Sequence, residues 1–364
     1  MTISWIAFHI TDRCQLNCDH CLRDPDQKAV DLPVDLFRRI LAQGRATFGT
    51  DHAALTGGEP TLHPEFEALI DALVDEGYTW HMISNAERFD RVIESLQKRP
   101  ERLAALTRVS ISLDGADRET HDSIRGPGSW DTVMRAVTLC TAIELPFYLQ
   151  IAINARNVHQ IDAFGLLAAQ LGASKVSYGL TFPTGTFLDR NLYLSPDAWR
   201  RVARQLARLQ DVLAVPIDWS AGFPSDKAFH SCAPWSGDPL HVDVQGRLNL
   251  CCNHSGVPTA GDGPPTDVAA DLRDTDLVDA WSRMLDIVAE TQRWRVRDIA
   301  AGKTEGWDAF PCNWCMKAHG KPHWAGDGAE GPSAGRERWR GAWTPGYKAS
   351  HHDAGVGAPK DDSA

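Results

Sequence analysis

The sequence predicts an α/β protein: a partial (β/α)6 TIM-like barrel followed by a small C-terminal domain made of a β-hairpin and a helix. Three observations predict it. Strand-like and helix-like runs alternate over roughly the first 180 residues, and such alternation implies a parallel sheet with right-handed crossovers. The units number about six, which suits an open or partial barrel rather than a closed eight-fold one. From Ser195 onward the alternation stops.

The elements follow in order. Ile3–Ile10 reads as a buried strand. Asp31-Leu32-Pro33 opens a helix with Leu36, Phe37, Ile40 and Leu41 on one side. Ala53–Thr56 is a short strand. A helix starts at Pro64, striped by Phe66, Leu69, Ile70 and Leu73, and Gly77 ends it. Strands are expected at Thr79–Ser84, Val109–Leu113, Phe147–Ile153 and Lys175–Leu180, with helices near 87–98, 130–141 and 158–171 between them. Ser195-Pro196 starts an amphipathic helix carrying Trp199, Val202, Leu206, Leu209 and Leu213. His241–Cys252 reads as a hairpin turning near Gln245-Gly246, and a second long helix covers Leu277–Val288.

These runs divide the chain into a barrel over 1–190, a small domain over 191–318 and a tail over 319–364. The tail has nine Gly, four Pro and a single valine, Val356. Such a segment cannot bury enough surface to offset its ordering entropy, so most of it is expected to be disordered. Trp324, Trp339 and Trp343 are unusual there.

The chain has 364 residues, 43% of them hydrophobic, which suffices for a sizeable core. Its formal charge of -11 argues against a nucleic-acid binder, which would show a basic face. No stretch approaches the roughly 20 apolar residues of a membrane span. The apolar run Ile3–Ile10 has no basic leader and meets Asp12 and Arg13 at once, unlike a signal peptide. A cytoplasmic protein is expected. Nine cysteines in a reducing compartment then read as metal ligands rather than disulfides.

Cys14-x3-Cys18-x2-Cys21 lies in the loop after the first strand, at the sheet edge where ligands bind. Three thiolates on one loop can hold three corners of a 4Fe-4S cubane and leave one iron open. The same thiolates with His9 or His20 could hold zinc. Thr56-Gly57-Gly58-Glu59-Pro60 follows the second strand and offers a closely approachable backbone and a carboxylate. Ser112-Leu113-Asp114-Gly115 follows a later strand, with Arg125-Gly126 beyond it.

In these three motifs, their order and approximate spacing, the chain resembles the radical S-adenosylmethionine superfamily over about residues 4–180. The resemblance implies that Cys14, Cys18 and Cys21 bind a 4Fe-4S cluster whose open iron takes S-adenosylmethionine. It implies that Gly57, Gly58 and Glu59 meet the methionyl amine. Ser84 and Asn85 would contact the ribose or methionyl part, and Ser112 and Arg125 the ribose hydroxyls and the carboxylate. The family has an aromatic before the third cysteine, near the adenine; this chain has His20 there.

Cys232-x13-Gly246-x4-Cys251 spans the hairpin, and Cys312-x2-Cys315 follows. Four thiolates suit a second cluster or a structural zinc. Beside the first motif, the pattern resembles the shortened "twitch" form of the SPASM extension. That implies an auxiliary 4Fe-4S cluster on Cys232, Cys251, Cys312 and Cys315. Strand alternation is expected to point Cys252 away from Cys251. Cys140 reads as a core thiol.

The implied function is a radical S-adenosylmethionine oxidoreductase. It would generate a 5′-deoxyadenosyl radical, abstract hydrogen, and carry out a net two-electron oxidation or cross-linking. A ribosomally made peptide is the expected substrate; a small polyol or aminocyclitol is the alternative, and a non-catalytic electron carrier a further one. The expected partners are an external flavodoxin- or ferredoxin-type electron donor and the substrate. Because the first strand starts near Met1, any leader-peptide-binding protein is expected to be separate. No general base stands out.

Overall fold

The computed structural model describes residues 2–23, 28–183, 190, 192–225, 227–229, 232–255, 257, 259, 266–321 and 323–324. Seven parallel strands form its frame: β1 Ile6–Thr11, β2 His52–Gly57, β3 Thr79–Ser84, β4 Leu106–Ser112, β5 Phe147–Ala152, β6 Lys175–Gly179 and β7 Ile217–Trp219. Their neighbour order in the sheet is their chain order, as a singly wound barrel requires.

Alternation along each strand decides which side chains meet the helices. In β1, Ile6, Phe8 and Ile10 are fully buried, and the Phe8 ring lies 4.5 Å from Phe37. Phe37 belongs to α1 (Val34–Phe48), which Gly49 ends in the left-handed conformation at φ 67°. The remaining crossover helices are α2 Phe66–Asp75, α3 Phe89–Lys98, α4 Pro100–Ala105, α5 Arg118–Arg125, α6 Ser129–Ala142, α7 Ile161–Gln170 and α8 Pro196–Val212. Cys140 is fully buried in α6, as a core thiol would be.

The C-terminal hairpin joins the barrel's own sheet. Its first strand, β8 (Leu240–Val242), pairs parallel with β1, while β9 (Arg247–Asn249) and β10 (Val268–Asp271) add antiparallel. Gly246 makes the turn at φ 80°. The helix expected over 277–288 runs on as α9, Leu277–Ala300, and a short α10, Pro311–Ala318, follows.

The stretch from 319, expected as a loose tail, begins with buried residues: His319, Lys321 and Trp324. The Trp324 indole donates to Thr181 O at 3.0 Å and lies 5.8 Å from the Trp307 ring. The rest of that expected tail, including Trp339 and Trp343, lies outside the described residues.

Candidate functional site

The cysteine loop leaves the C-terminal end of β1, and its neighbours fix it. Arg13 chelates Asp31, and Arg156 holds Asp19 at 2.6 Å. Each of the three loop sulfurs faces at least one N–H group. Asn85 Nδ2 stands 3.6 Å from Cys14 Sγ, Arg125 Nη1 3.9 Å from Cys18 Sγ, and the Arg23 amide 3.4 Å from Cys21 Sγ. Donors set around thiolates are what an iron–sulfur site requires of its surroundings. Burial pushes the Cys18 thiol up to about 12 and also raises Cys14. Such thiols ionise when a metal supplies the compensating charge. Among the described residues no three Cys, His, Asp or Glu side chains gather on one point as ligands of a single ion do. A cubane takes each thiolate at a different corner, so its ligands stay apart.

Gly57 and Gly58 abut the cysteine loop itself. Gly58 N donates to Thr11 O and Glu59 N to Arg13 O, both at 2.7 Å. A Cβ on Gly58 would lie 2.2 Å from Arg13 O, and one on Gly57, whose φ is 137°, 2.4 Å from Thr11 O. Glycine is needed here so that β2 can close on the loop.

The Glu59 carboxylate is fully buried and accepts from Thr61 Oγ1 at 2.8 Å, Ser84 Oγ at 3.0 Å and Asn85 N at 2.8 Å. Burial raises its pKa against the pull of those donors. Glu59 thus ties the end of β3 to the end of β2. Through Asn85, whose side chain reaches Cys14, the same carboxylate helps to set a donor on the cysteine loop.

Ser112 ends β4, where its hydroxyl accepts from Gln150 Nε2 at 3.2 Å. Arg125, at the end of α5, places Nε 2.5 Å from Asp114 Oδ2. His20 Nε2 is 3.5 Å from the same oxygen, and Ala152 N donates to Asp114 Oδ1 at 2.8 Å. Burial opposes ionisation of Asp114, but Arg125, His20 and the amide together hold it below the usual carboxylate range. Burial lowers the His20 pKa, against the pull of Asp114. Asp114 lies in the Ser-Leu-Asp-Gly motif, yet its bridging role was not evident from sequence. The signal available was one acid, eleven residues before Arg125, among the four that run from Asp114 to Asp122.

Cys14, Cys18, Cys21, Gly57, Gly58, Glu59, Ser84, Asn85, Arg125 and His20 therefore form one connected cluster of contacts, and Ser112 stands beside it on β4. A cavity of about 640 Å³ opens next to His20 and Arg125.

The other four predicted cysteines meet elsewhere. Cys232, Cys251, Cys312 and Cys315 line a common cavity with Trp235 and Met316. Cys312 and Cys315 sit one turn apart on α10. Burial raises Cys232, Cys312 and Cys315; it carries Cys315 to about 12 and Cys232 to about 11, and these two raise Cys312 further. Cys251 is raised first by its hydrogen bond with Cys252 and then by burial. The expected divergence of Cys251 and Cys252 is overturned: their side chains share a hydrogen bond. The strand ends at Asn249 and residues 252–255 turn, so alternation no longer applies.

Residues 8–164 match the Radical SAM superfamily. The "AdoMet-dependent heme synthase" of Methanosarcina barkeri is 30% identical over 212 residues, 56% of this chain and 58% of that protein. The "Mycofactocin maturase MftC" of Mycobacterium tuberculosis is 32% identical over 46% of this chain and 42% of its own length. The "PqqA peptide cyclase" of Methylorubrum populi is 24% identical over 84% of this chain and 76% of its own. The chain thus spans about half the length of the first two relatives. Streptococcus suis SuiB bound to precursor peptide SuiA superposes with a TM-score of 0.59 at 14% identity, over 77% of this chain and 64% of that one. At that identity the likeness concerns the fold, a partial TIM-like barrel. Among the described residues no helix is long and apolar enough to cross a membrane.

Proposed function

From the match of residues 8–164 to the Radical SAM superfamily, we propose that this chain is a radical S-adenosylmethionine enzyme that oxidises or cross-links a ribosomally made peptide. The observation that carries the catalytic reading is the loop of Cys14, Cys18 and Cys21 with at least one N–H group facing each sulfur. The peptide substrate is supported by relatives named for a maturase and a peptide cyclase.

Cys14, Cys18 and Cys21 would hold the cluster. When bound, a 4Fe-4S cluster and S-adenosylmethionine supply a 5′-deoxyadenosyl radical able to take hydrogen from an unactivated carbon. The chain's own groups arrange the setting. Glu59 locks Ser84 and Asn85 in place, and Asp114 fixes Arg125 beside Cys18. Held geometry shortens the search for the reactive pose.

Cys232, Cys251, Cys312 and Cys315 would hold an auxiliary 4Fe-4S cluster as an outlet for the substrate's second electron. A flavodoxin- or ferredoxin-type donor would supply the electron that reduces the first cluster, and the substrate's first electron would leave with the abstracted hydrogen atom. The cytoplasm is the compartment this reading assigns.

A second reading, oxidation of a small molecule, draws support from the heme synthase relative; the polyol or aminocyclitol dehydrogenase expected from sequence is one form of it. Anaerobic reconstitution, reduction and addition of S-adenosylmethionine tests the shared chemistry. The expected product is 5′-deoxyadenosine. Its absence with iron loading confirmed would overturn the enzyme reading and favour an electron carrier.

A further inference from the structure

The cavity beside His20 and Arg125 has a second wall. Ser112 pairs with Gln150, Gln150 with Ser177, and Ser177 with Asp218, across β4, β5, β6 and β7. Paired positions on neighbouring parallel strands present their side chains to one face of the sheet. Gln150, Ser177 and Asp218 all line the cavity. The row therefore runs from the cofactor side, at Ser112, to the last parallel strand.

Its chemistry is that of an acceptor. The Gln150 amide nitrogen is engaged by Ser112 at 3.2 Å, which leaves its carbonyl oxygen for a ligand. Ser220, two residues beyond Asp218, also lines the cavity, and its Oγ is buried without a hydrogen-bond partner among the described residues. Such an atom marks a place for a missing partner.

The charges across the cavity are unequal. Arg125 on the opposite wall is neutralised by Asp114. Among the described residues Asp218 pairs only with Lys175, whose Nζ is 3.7 Å away, beyond hydrogen-bond length. A partly exposed pair this loose is readily exchanged for another cation. A carboxylate entering the cavity would instead meet a like charge.

We propose that Gln150, Ser177, Asp218 and Ser220 form the substrate subsite, and that it takes a cationic N–H group: a lysine or arginine side chain, or a free amino terminus. The proposal rests on the reading of the chain as a radical peptide-modifying enzyme.

The test uses the full reconstituted chain with S-adenosylmethionine bound. The probes are pools of short synthetic peptides with one fixed position: lysine, norleucine or glutamate. Each pool is made with free and with acetylated amino termini, which separates the two sources of the cation. Retention is read by equilibrium dialysis and mass spectrometry. Wild type should retain lysine or free-amino pools about threefold to fivefold over acetylated norleucine, the range of a partly exposed ion pair. Asp218→Asn should abolish that preference, Asp218→Glu should keep it, and Asp218→Lys should turn it toward glutamate. Iron content of each variant equal to wild type confirms folding. Equal retention of all pools by wild type, or a preference that survives Asp218→Asn, overturns the subsite. Loss of 5′-deoxyadenosine formation in wild type with clusters intact is a separate result and overturns the enzyme reading instead.

Discussion

Asp114 and Arg125 form a buried ion pair: their side chains are 0% and 11% exposed, and Nε stands 2.5 Å from Oδ2. The pair fixes the distance from α5 to the cysteine loop, because the same guanidinium faces Cys18. Asp114→Asn leaves a buried cation without its partner, a loss of about 3–5 kcal/mol. Urea unfolding of the reconstituted protein should register it, with a matching fall in 5′-deoxyadenosine formation. The sign with pH follows from the depressed carboxyl. Its folded pKa lies below the ordinary 3.8. The stabilisation is therefore fully present above 3.8 and lost as pH falls through the lower folded value. The gap between wild type and Asp114→Asn should stay constant from neutral pH down to about 5. A gap that closed near neutrality would contradict the pairing.

Histidine burial gives a second pH effect. His81 and His241 are both held at about 3 by burial. Each is neutral when folded, whereas the unfolded chain protonates below 6.5. Stability should therefore fall as pH drops from about 6.5 toward 4, by about 1.4 kcal/mol per pH unit for each histidine. His241→Asn should remove one such contribution from the slope. An unchanged slope, measured by urea midpoints at several pH values, would refute neutral burial of His241.

The two cysteine sets should load separately. Wild type should bind about eight irons and Cys312→Ala/Cys315→Ala about four, with 5′-deoxyadenosine still formed. A wild-type count near four that the double variant leaves unchanged rules out the auxiliary cluster.

What the sequence disclosed follows from local signals. β3 was expected at Thr79–Ser84 and lies there, a short run after Gly77 whose Trp80, His81 and Met82 are all buried. Helix α1 was legible from its apolar stripe. Helix α5 was not: its buried side chains are only His121 and Ile124, and its start depends on Asp117 capping Thr120 N. Strands β7 and β10, of three and four residues, are too short to show a period. In the site, the motif residues were legible but their partners were not. That Gly58 answers to Arg13, or that Asp114 joins His20 to Arg125, depends on contacts between strands far apart in sequence.

Gly58 offers a direct check of that close approach. Gly58→Ala would drive a methyl group to 2.2 Å from Arg13 O, a backbone atom that cannot swing aside. Overpacking of this kind costs about 1–3 kcal/mol. Gly49→Ala is the comparison: it has open space around the added carbon but a φ of 67°, which costs about 1–2 kcal/mol. The discriminating readout is iron at the first cluster. Gly58→Ala should lower loading on Cys14, Cys18 and Cys21, because the clash displaces the loop, whereas Gly49→Ala should leave it intact. Equal loading in both variants would show that the loop tolerates the displacement.

The auxiliary cavity has its own buried pair. Lys321 Nζ lies 3.1 Å from Asp267 Oδ2, and the two side chains are 4% and 0% exposed. Asp267 O accepts from Leu250 N, next to Cys251, while Lys321 N donates to Met316 O, next to Cys315. The pair therefore clamps together the two segments that bring those cysteines to one cavity. His254 Nδ1 approaches the same carboxylate at 3.4 Å. Lys321→Met strands a buried carboxylate and should cost about 3–5 kcal/mol, whereas Lys321→Met/Asp267→Leu removes both charges and should recover most of it. Iron loading separates clamping from general stability. The single variant should lose iron from the second site while the first cluster and 5′-deoxyadenosine formation persist, and the double variant should regain it. If iron is lost equally from both sites, the pair supports the fold at large and has no particular hold on Cys251 and Cys315.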